Sequence, residues 1–144
     1  CELAMILIHP IMQVFFIAMA VVAFILGLQR FRSNHLGHQT RFNWKGHVYV
    51  GRIAIVGLIA GTVAGVAITP YYFEYTVPVL SHGQLGIVSM AFFFVGASTG
   101  YILDKHKKRR KLLPLIHGSA NTLGLLVALN QIVTGYKLYL SFVS

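Results

Sequence analysis

"LPLIHGSANTLG", residues 113–124, decides how the rest of the chain is read. A proline opens an apolar run, a histidine follows three residues later, and the run then continues as an almost purely apolar helix. An ionisable side chain in such a setting marks function until shown otherwise. The same arrangement recurs in "LIHPIMQ" at 7–13, "WKGHVYVG" at 44–51 and "LSHGQLG" at 80–86.

These histidines belong to four apolar stretches, roughly 3–29, 46–69, 81–103 and 115–136. Each holds about the 20 residues that a helix needs to cross a bilayer. The chain of 144 residues is 56% hydrophobic and 10% charged, with a mean hydropathy of +0.71. A soluble domain is closer to a quarter charged. The expected fold is therefore all-α: one integral-membrane domain over 1–144, built as an up-down-up-down four-helix bundle. The first stretch is not a signal peptide, because it lacks a basic leader and carries its arginines at the far end. The chain opens on Cys1 rather than methionine. We expect truncation there rather than the lipid-bearing residue left by lipoprotein processing.

Charge placement sets the orientation. Arg30, Arg32, Arg41 and Lys45 fall in the 29–46 connection; Lys105, Lys107, Lys108, Arg109, Arg110 and Lys111 fall in the 104–114 connection. Both connections must lie on one side of an alternating bundle, and the positive-inside rule makes that side cytoplasmic. The termini and the 70–80 loop then face away, which agrees with Glu2 and Glu74. The expected location is a bacterial cytoplasmic membrane. "KHKKRRK" at 105–111 reads as a topology signal and a contact for anionic lipid headgroups. The net charge of +9 therefore does not point to nucleic acid. "YYFEY" at 71–75 belongs at the outer boundary and Trp44 at the inner one. Pro70 and Pro78 bracket the outer loop, and Pro114 marks the start of the fourth helix. A single cysteine excludes an internal disulfide and a cysteine-held iron–sulfur cluster. The absence of CxxCH excludes covalently attached c-type haem.

Because the helices alternate, His9 and His82 lie toward the outside, and His47 and His117 toward the cytoplasm. In a square bundle the first and third helices are diagonal partners, as are the second and fourth. The four histidines thus form two pairs, each at one depth and across one diagonal. Two stacked bis-histidine haems require that layout. Eighteen residues after each histidine stands a glycine: Gly27, Gly65, Gly100 and Gly135. At about 100° per residue, eighteen residues is five whole turns, so each glycine shares its histidine's face. Fourteen residues on come Ala23, Gly61, Gly96 and Gln131. The axial offset of roughly 21–27 Å brings these positions to the depth of the opposite pair. Gly61, Gly65, Gln131 and Gly135 would flank the outer haem, and Ala23, Gly27, Gly96 and Gly100 the inner one, admitting the porphyrin edges. Packing supplies a competing explanation, since Gly57, Gly61 and Gly65 also form a small-xxx-small series.

Other polar residues are less specific. Gln13 and Asn121 lie one turn after their histidines and suit either a haem propionate, an imidazole or an interhelical contact. Arg52, rotated roughly 140° from the His47 face, is expected to snorkel to the interface rather than reach a propionate. His35 and His38, although spaced HxxH, and His106 read as solvated. Tyr101 and Tyr136 read as interfacial anchors.

With "LIHP", "KGHV", "LSHGQLG" and "PLIHGSAN" in place, the chain resembles the cytochrome b561 superfamily over essentially its whole length. It is also similar to a bacterial and plastid family of short four-helix membrane proteins with the same histidine layout. The resemblance implies two haem b groups, one held by His9 and His82 and the other by His47 and His117. Only the four core spans are present, and no ascorbate-site motif is recognisable. The implied role is transmembrane electron transfer, as a subunit of a larger redox complex that links an extracytoplasmic partner with the quinone pool or a cytoplasmic-side carrier. Bound quinone and homo-oligomerisation are compatible with the sequence, but no residue set identifies a quinone pocket. The rival class is a non-haem protein, either a small proton-coupled transporter or a structural membrane subunit.

A reporter fused after Ser144 is expected to behave as extracytoplasmic. A cytoplasmic signal would invert the orientation and exchange the outer and inner labels.

Overall fold

The computed structural model of the chain describes residues 2–72, 77–108 and 110–143. Cys1, the Phe73, Glu74 and Tyr75 part of the outer aromatic segment, Arg109 and Ser144 lie outside the described residues. Four helices follow in order: α1 (Glu2–His35), α2 (Trp44–Tyr72), α3 (Val77–Lys105) and α4 (Leu112–Val143). All four are long and apolar enough to cross a membrane. Large apolar side chains such as Phe15, Val56, Phe94 and Leu126 are exposed around the outside. A surface of that kind belongs in lipid, and the chain is a multi-pass membrane protein.

The sequence explains most of the helix ends. The α1 helix runs past its arginines to His35, and the residue that stops it is Gly37, at φ 70°. His38 N–H donates to the Arg32 carbonyl at 3.2 Å and Leu36 N–H to the same oxygen at 3.1 Å. The left-handed conformation that ends the helix here is one that glycine adopts without strain. At the start of α2, the Asn43 side chain accepts from Gly46 N–H at 3.0 Å, as an N-cap does. Pro114 falls in the first turn of α4, where its missing N–H costs nothing. Pro70 does not end α2, which continues to Tyr72. Pro10, directly after His9, is carried inside α1.

The bundle is two hairpins facing each other. α1 packs chiefly on α2 and α3 chiefly on α4, with lighter α1–α4 and α2–α3 contact. Among the described residues the diagonals α1–α3 and α2–α4 make no close backbone approach. Glycine brings the members of each hairpin together. The Phe16 ring of α1 occupies the place of a Cβ on Gly57 of α2, and Phe93 of α3 lies over Gly124 of α4. Midway along the bundle, Ile17, Ala20, Ala54, Leu58, Phe93, Leu125 and Ala128 form a buried apolar layer drawn from all four helices. Ser89 joins this interior, donating to the Gly124 carbonyl at 3.0 Å. Towards both ends the diagonals open, and there the histidines stand.

Candidate functional site

His9 on α1 faces His82 on α3, with ring centroids 6.5 Å apart and ring planes at 83°. His47 on α2 faces His117 on α4, at 6.0 Å and 79°. The first pair lies at the end of the bundle that carries the chain termini. The second lies at the end that carries the two basic loops. Each pair bridges a diagonal along which the helices themselves do not touch.

Backbone and hydroxyl groups hold the rings. His47 Nδ1 is 2.9 Å from the Ala23 carbonyl, and His117 Nδ1 is 3.0 Å from the Gly96 carbonyl. A carbonyl only accepts, so Nδ1 carries the proton in both rings and Nε2 presents its lone pair. His82 Nδ1 is 2.9 Å from Thr134 Oγ1. That hydroxyl donates in turn to the Gln131 carbonyl at 3.3 Å, so it accepts from His82. His9 Nδ1 is buried without a hydrogen bond among the described residues. Among the described residues no hydrogen bond reaches an Nε2 atom of the four rings. An imidazole that anchors one nitrogen on the protein and leaves the other free is dressed as a metal ligand.

The glycines lie against these rings. A Cβ on Gly65 would stand 2.8 Å from His9 Cε1, and one on Gly100 2.9 Å from His117 Cε1. The corresponding distances are 3.1 Å for Gly27 to His47 and 3.2 Å for Gly135 to His82. Each glycine therefore seats the imidazole of the adjacent helix in its own hairpin. The near neighbour is an imidazole, whereas the sequence reading assigned these glycines to the porphyrin edge. The reason is the closeness of α1 to α2 and of α3 to α4, which leaves a ring no room beside a Cβ. The positions fourteen residues on sit one turn closer to the midplane and do related work. Ala23 and Gly96 offer their carbonyls. Gly61 accommodates the Gln13 side chain, and Gly96 that of Asn121.

The remaining polar residues serve the same two centres. Gln13 donates to the Leu58 carbonyl at 3.3 Å, an interhelical contact. Asn121 donates to its own helix at the His117 carbonyl, 2.8 Å away, with the same nitrogen 3.3 Å from His117 Nδ1. Gln131 donates to the His82 carbonyl at 3.2 Å. Arg52 pairs with Asp104 of α3, the one acid that the sequence reading left without a role. His35, His38 and His106 are exposed. Trp44 stands at the basic-loop end with Lys107 Nζ 3.9 Å above its ring. The sequence reading also missed Thr134. Its signal was a Thr–Gly pair repeated in α3 and α4, Thr99–Gly100 and Thr134–Gly135.

The residues fit a haem better than a bare ion. Metal–imidazole bonds of about 2 Å, with each ring centre about 1.2 Å behind its nitrogen, place facing ring centres roughly 6–6.5 Å apart. Both pairs have that separation. Among the described residues no third His, Cys, Asp or Glu joins either pair, and two imidazoles do not complete the shell of a free ion. A macrocycle would supply the remaining metal-binding nitrogens that the protein does not. Room for it is open at the second pair, where a cleft of about 2040 Å³ contains His47, His117, Gly27, Gly96, Gly100 and Asn121. The groove of about 830 Å³ beside His9, Met12, Phe16 and Gly61 is lined by α1 and α2 alone and does not reach His82. Cofactor sites typically measure about 300–1,000 Å³. No family model matches the chain, nor does any curated protein sequence or solved structure.

Crowding at the glycines should be selective. Gly65→Leu is expected to disturb the His9–His82 centre, and Gly100→Leu the His47–His117 centre, each at a cost of about 1–3 kcal/mol. Gly57→Leu, which crowds Phe16 away from both pairs, should lower thermal stability without choosing between centres. Redox titration that resolves the two centres checks this. Equal effects of Gly65→Leu and Gly100→Leu on both would reduce the glycines to ordinary helix packing.

Proposed function

We propose that this chain carries electrons across a membrane through two haem b groups, one ligated by His9 and His82, the other by His47 and His117. The observation that carries the proposal is the spacing of the two diagonal imidazole pairs, one at each end of the bundle. Haem supplies one-electron chemistry at each position. With a histidine on each side, a haem held at either pair would have no open position for oxygen or a substrate. The role left is outer-sphere transfer.

The chain's own residues define the centres. The Ala23 and Gly96 carbonyls and the Thr134 hydroxyl fix the ring tautomers, and by accepting from Nδ1 they make the opposite nitrogen a stronger donor. The apolar layer around Phe93 and Leu58 keeps water out of the space between the pairs. That layer also favours electrons over protons. A proton-coupled transporter needs a polar route joining its ionisable groups, and Ser89, the buried polar residue at this level, is committed to the Gly124 carbonyl. On this reading the chain serves as the membrane subunit of a larger redox complex. One end meets an extracytoplasmic donor or acceptor, and the other meets quinone or another carrier.

Cations gather mainly at one end. Arg30, Lys107, Lys108, Arg110 and Lys111 line the cleft of the His47–His117 centre, and positive charge favours the added electron. The purified chain should show the sharp α and Soret bands of reduced haem b. His9→Ala and His82→Ala should abolish the same spectral component, and the component that survives should have the higher potential. A wild-type chain without these bands would return the non-haem classes. Loss of one shared component from His9→Ala and His47→Ala would refute the diagonal pairing.

A further inference from the structure

Helix α4 carries a polar side chain for which the bundle has no use. Asn130 lies five residues before Gly135, well inside the Leu112–Ser141 span, and is exposed. Its polar neighbours on α4 are satisfied. Asn121 donates to His117, Thr122 to Gly118, Gln131 to His82 and Thr134 to Gln131. Asn130 makes no hydrogen bond among the described residues. Facing hydrocarbon, an unpaired carboxamide is costly. Gln84 of α3 is also exposed and makes no hydrogen bond among the described residues, but it lies in the first turn of its span, at the membrane boundary, whereas Asn130 is well inside. The exposed face of α1, with Ile11, Phe15, Val22 and Ile25, is apolar, and exposed Ser98 of α3 donates to its own Phe94 carbonyl.

The residues around Asn130 have a period of their own. Leu123, Leu126, Asn130, Val133, Lys137 and Leu140 follow at alternating steps of three and four, and every one is exposed. That spacing, averaging 3.5 residues, is the seam by which two parallel helices run side by side. Asn130 is thirteen residues from His117, about 220° around the helix, so the seam looks away from both histidine pairs.

We propose that this face of α4 pairs with the same face of a second copy of the chain, about a two-fold axis along the membrane normal. Two copies in one orientation bring their α4 helices together in parallel, with Asn130 opposite Asn130. A carboxamide both donates and accepts, so it satisfies its own image across a two-fold axis. A polar residue at one seam position also fixes register. Lys137 lies two turns nearer the end of the helix, where its long side chain carries the ammonium group to the headgroups. The proposal is independent of the haem reading, since Asn130, Val133, Lys137 and Leu140 line neither cleft and of the seam only Leu123 borders the cleft of the His47–His117 centre.

The test uses the full chain reconstituted in lipid bilayers, with dimerisation measured by fluorescence energy transfer over a range of dilutions. We expect a reversible dimer. Asn130→Leu should raise its dissociation constant about three- to thirty-fold, and Asn130→Gln, which keeps the carboxamide, should have a smaller effect. Cross-linking supplies a second measurement that leaves Asn130 intact. In a Cys1→Ser background, Val133→Cys should form an intermolecular disulfide, which needs Cα atoms within about 7 Å; Val63→Cys on α2 should not. A monomer at every dilution would overturn the proposal, as would a dimer indifferent to Asn130→Leu. Cross-linking at Val63 instead of Val133 would place the interface elsewhere, and a Val133 cross-link to a different polypeptide would replace the second copy with a heteromeric partner.

Discussion

Four imidazoles, each seated against a glycine of the neighbouring helix, set the terms for the rest of the bundle. A ring can lie between α1 and α2, or between α3 and α4, only where one backbone presents no Cβ. Gly27, Gly65, Gly100 and Gly135 are those places. Hairpins close enough to need glycine pack tightly within themselves and leave the diagonals wide. The same closeness puts a carbonyl of one helix in reach of the ring on the other, as Ala23 is for His47 and Gly96 for His117. Tight hairpins and open diagonals thus follow from one contact repeated four times, and with them the fixed tautomers of His47 and His117.

The repetition has a pattern. In each hairpin a histidine near one end meets the glycine near the end of its partner, and the partner's own histidine meets the glycine of the first. The α1–α2 and α3–α4 hairpins therefore use one plan, and placing them face to face brings the unlike ends of neither together. His9 finds His82, and His47 finds His117. Each hairpin alone holds half of two sites. Between them lies an apolar layer with Phe93 and Leu58 at its heart, a medium through which an electron passes more readily than a proton.

Much of this was legible in the sequence, because helical geometry converts residue number into depth and direction. Four apolar stretches with one histidine each give the alternating bundle and the two depths. An interval of eighteen residues gives the shared face. What the interval could not tell was whether a glycine meets a macrocycle or an imidazole, since that depends on how near the neighbouring helix comes. The Ala23 and Gly96 carbonyls were invisible for a plainer reason: every residue has one, and only packing chooses which is used. The α1 helix outlasts the apolar stretch that ends near residue 29, because nothing in the polar residues that follow breaks a helix until the left-handed Gly37. Thr134 and Asp104 act across helices, and their partners are 52 residues away in each case. No local pattern reaches that far.

The crossed ring planes, 83° in one pair and 79° in the other, give the haem reading a signature of its own. Electron paramagnetic resonance of the oxidised, purified chain measures it directly. We expect two low-spin ferric signals, each with the strong low-field anisotropy of iron held between nearly perpendicular imidazoles. A high-spin ferric signal would mean that one axial position at that centre lacks its histidine, and a chain with no haem signal at all would contradict the central claim.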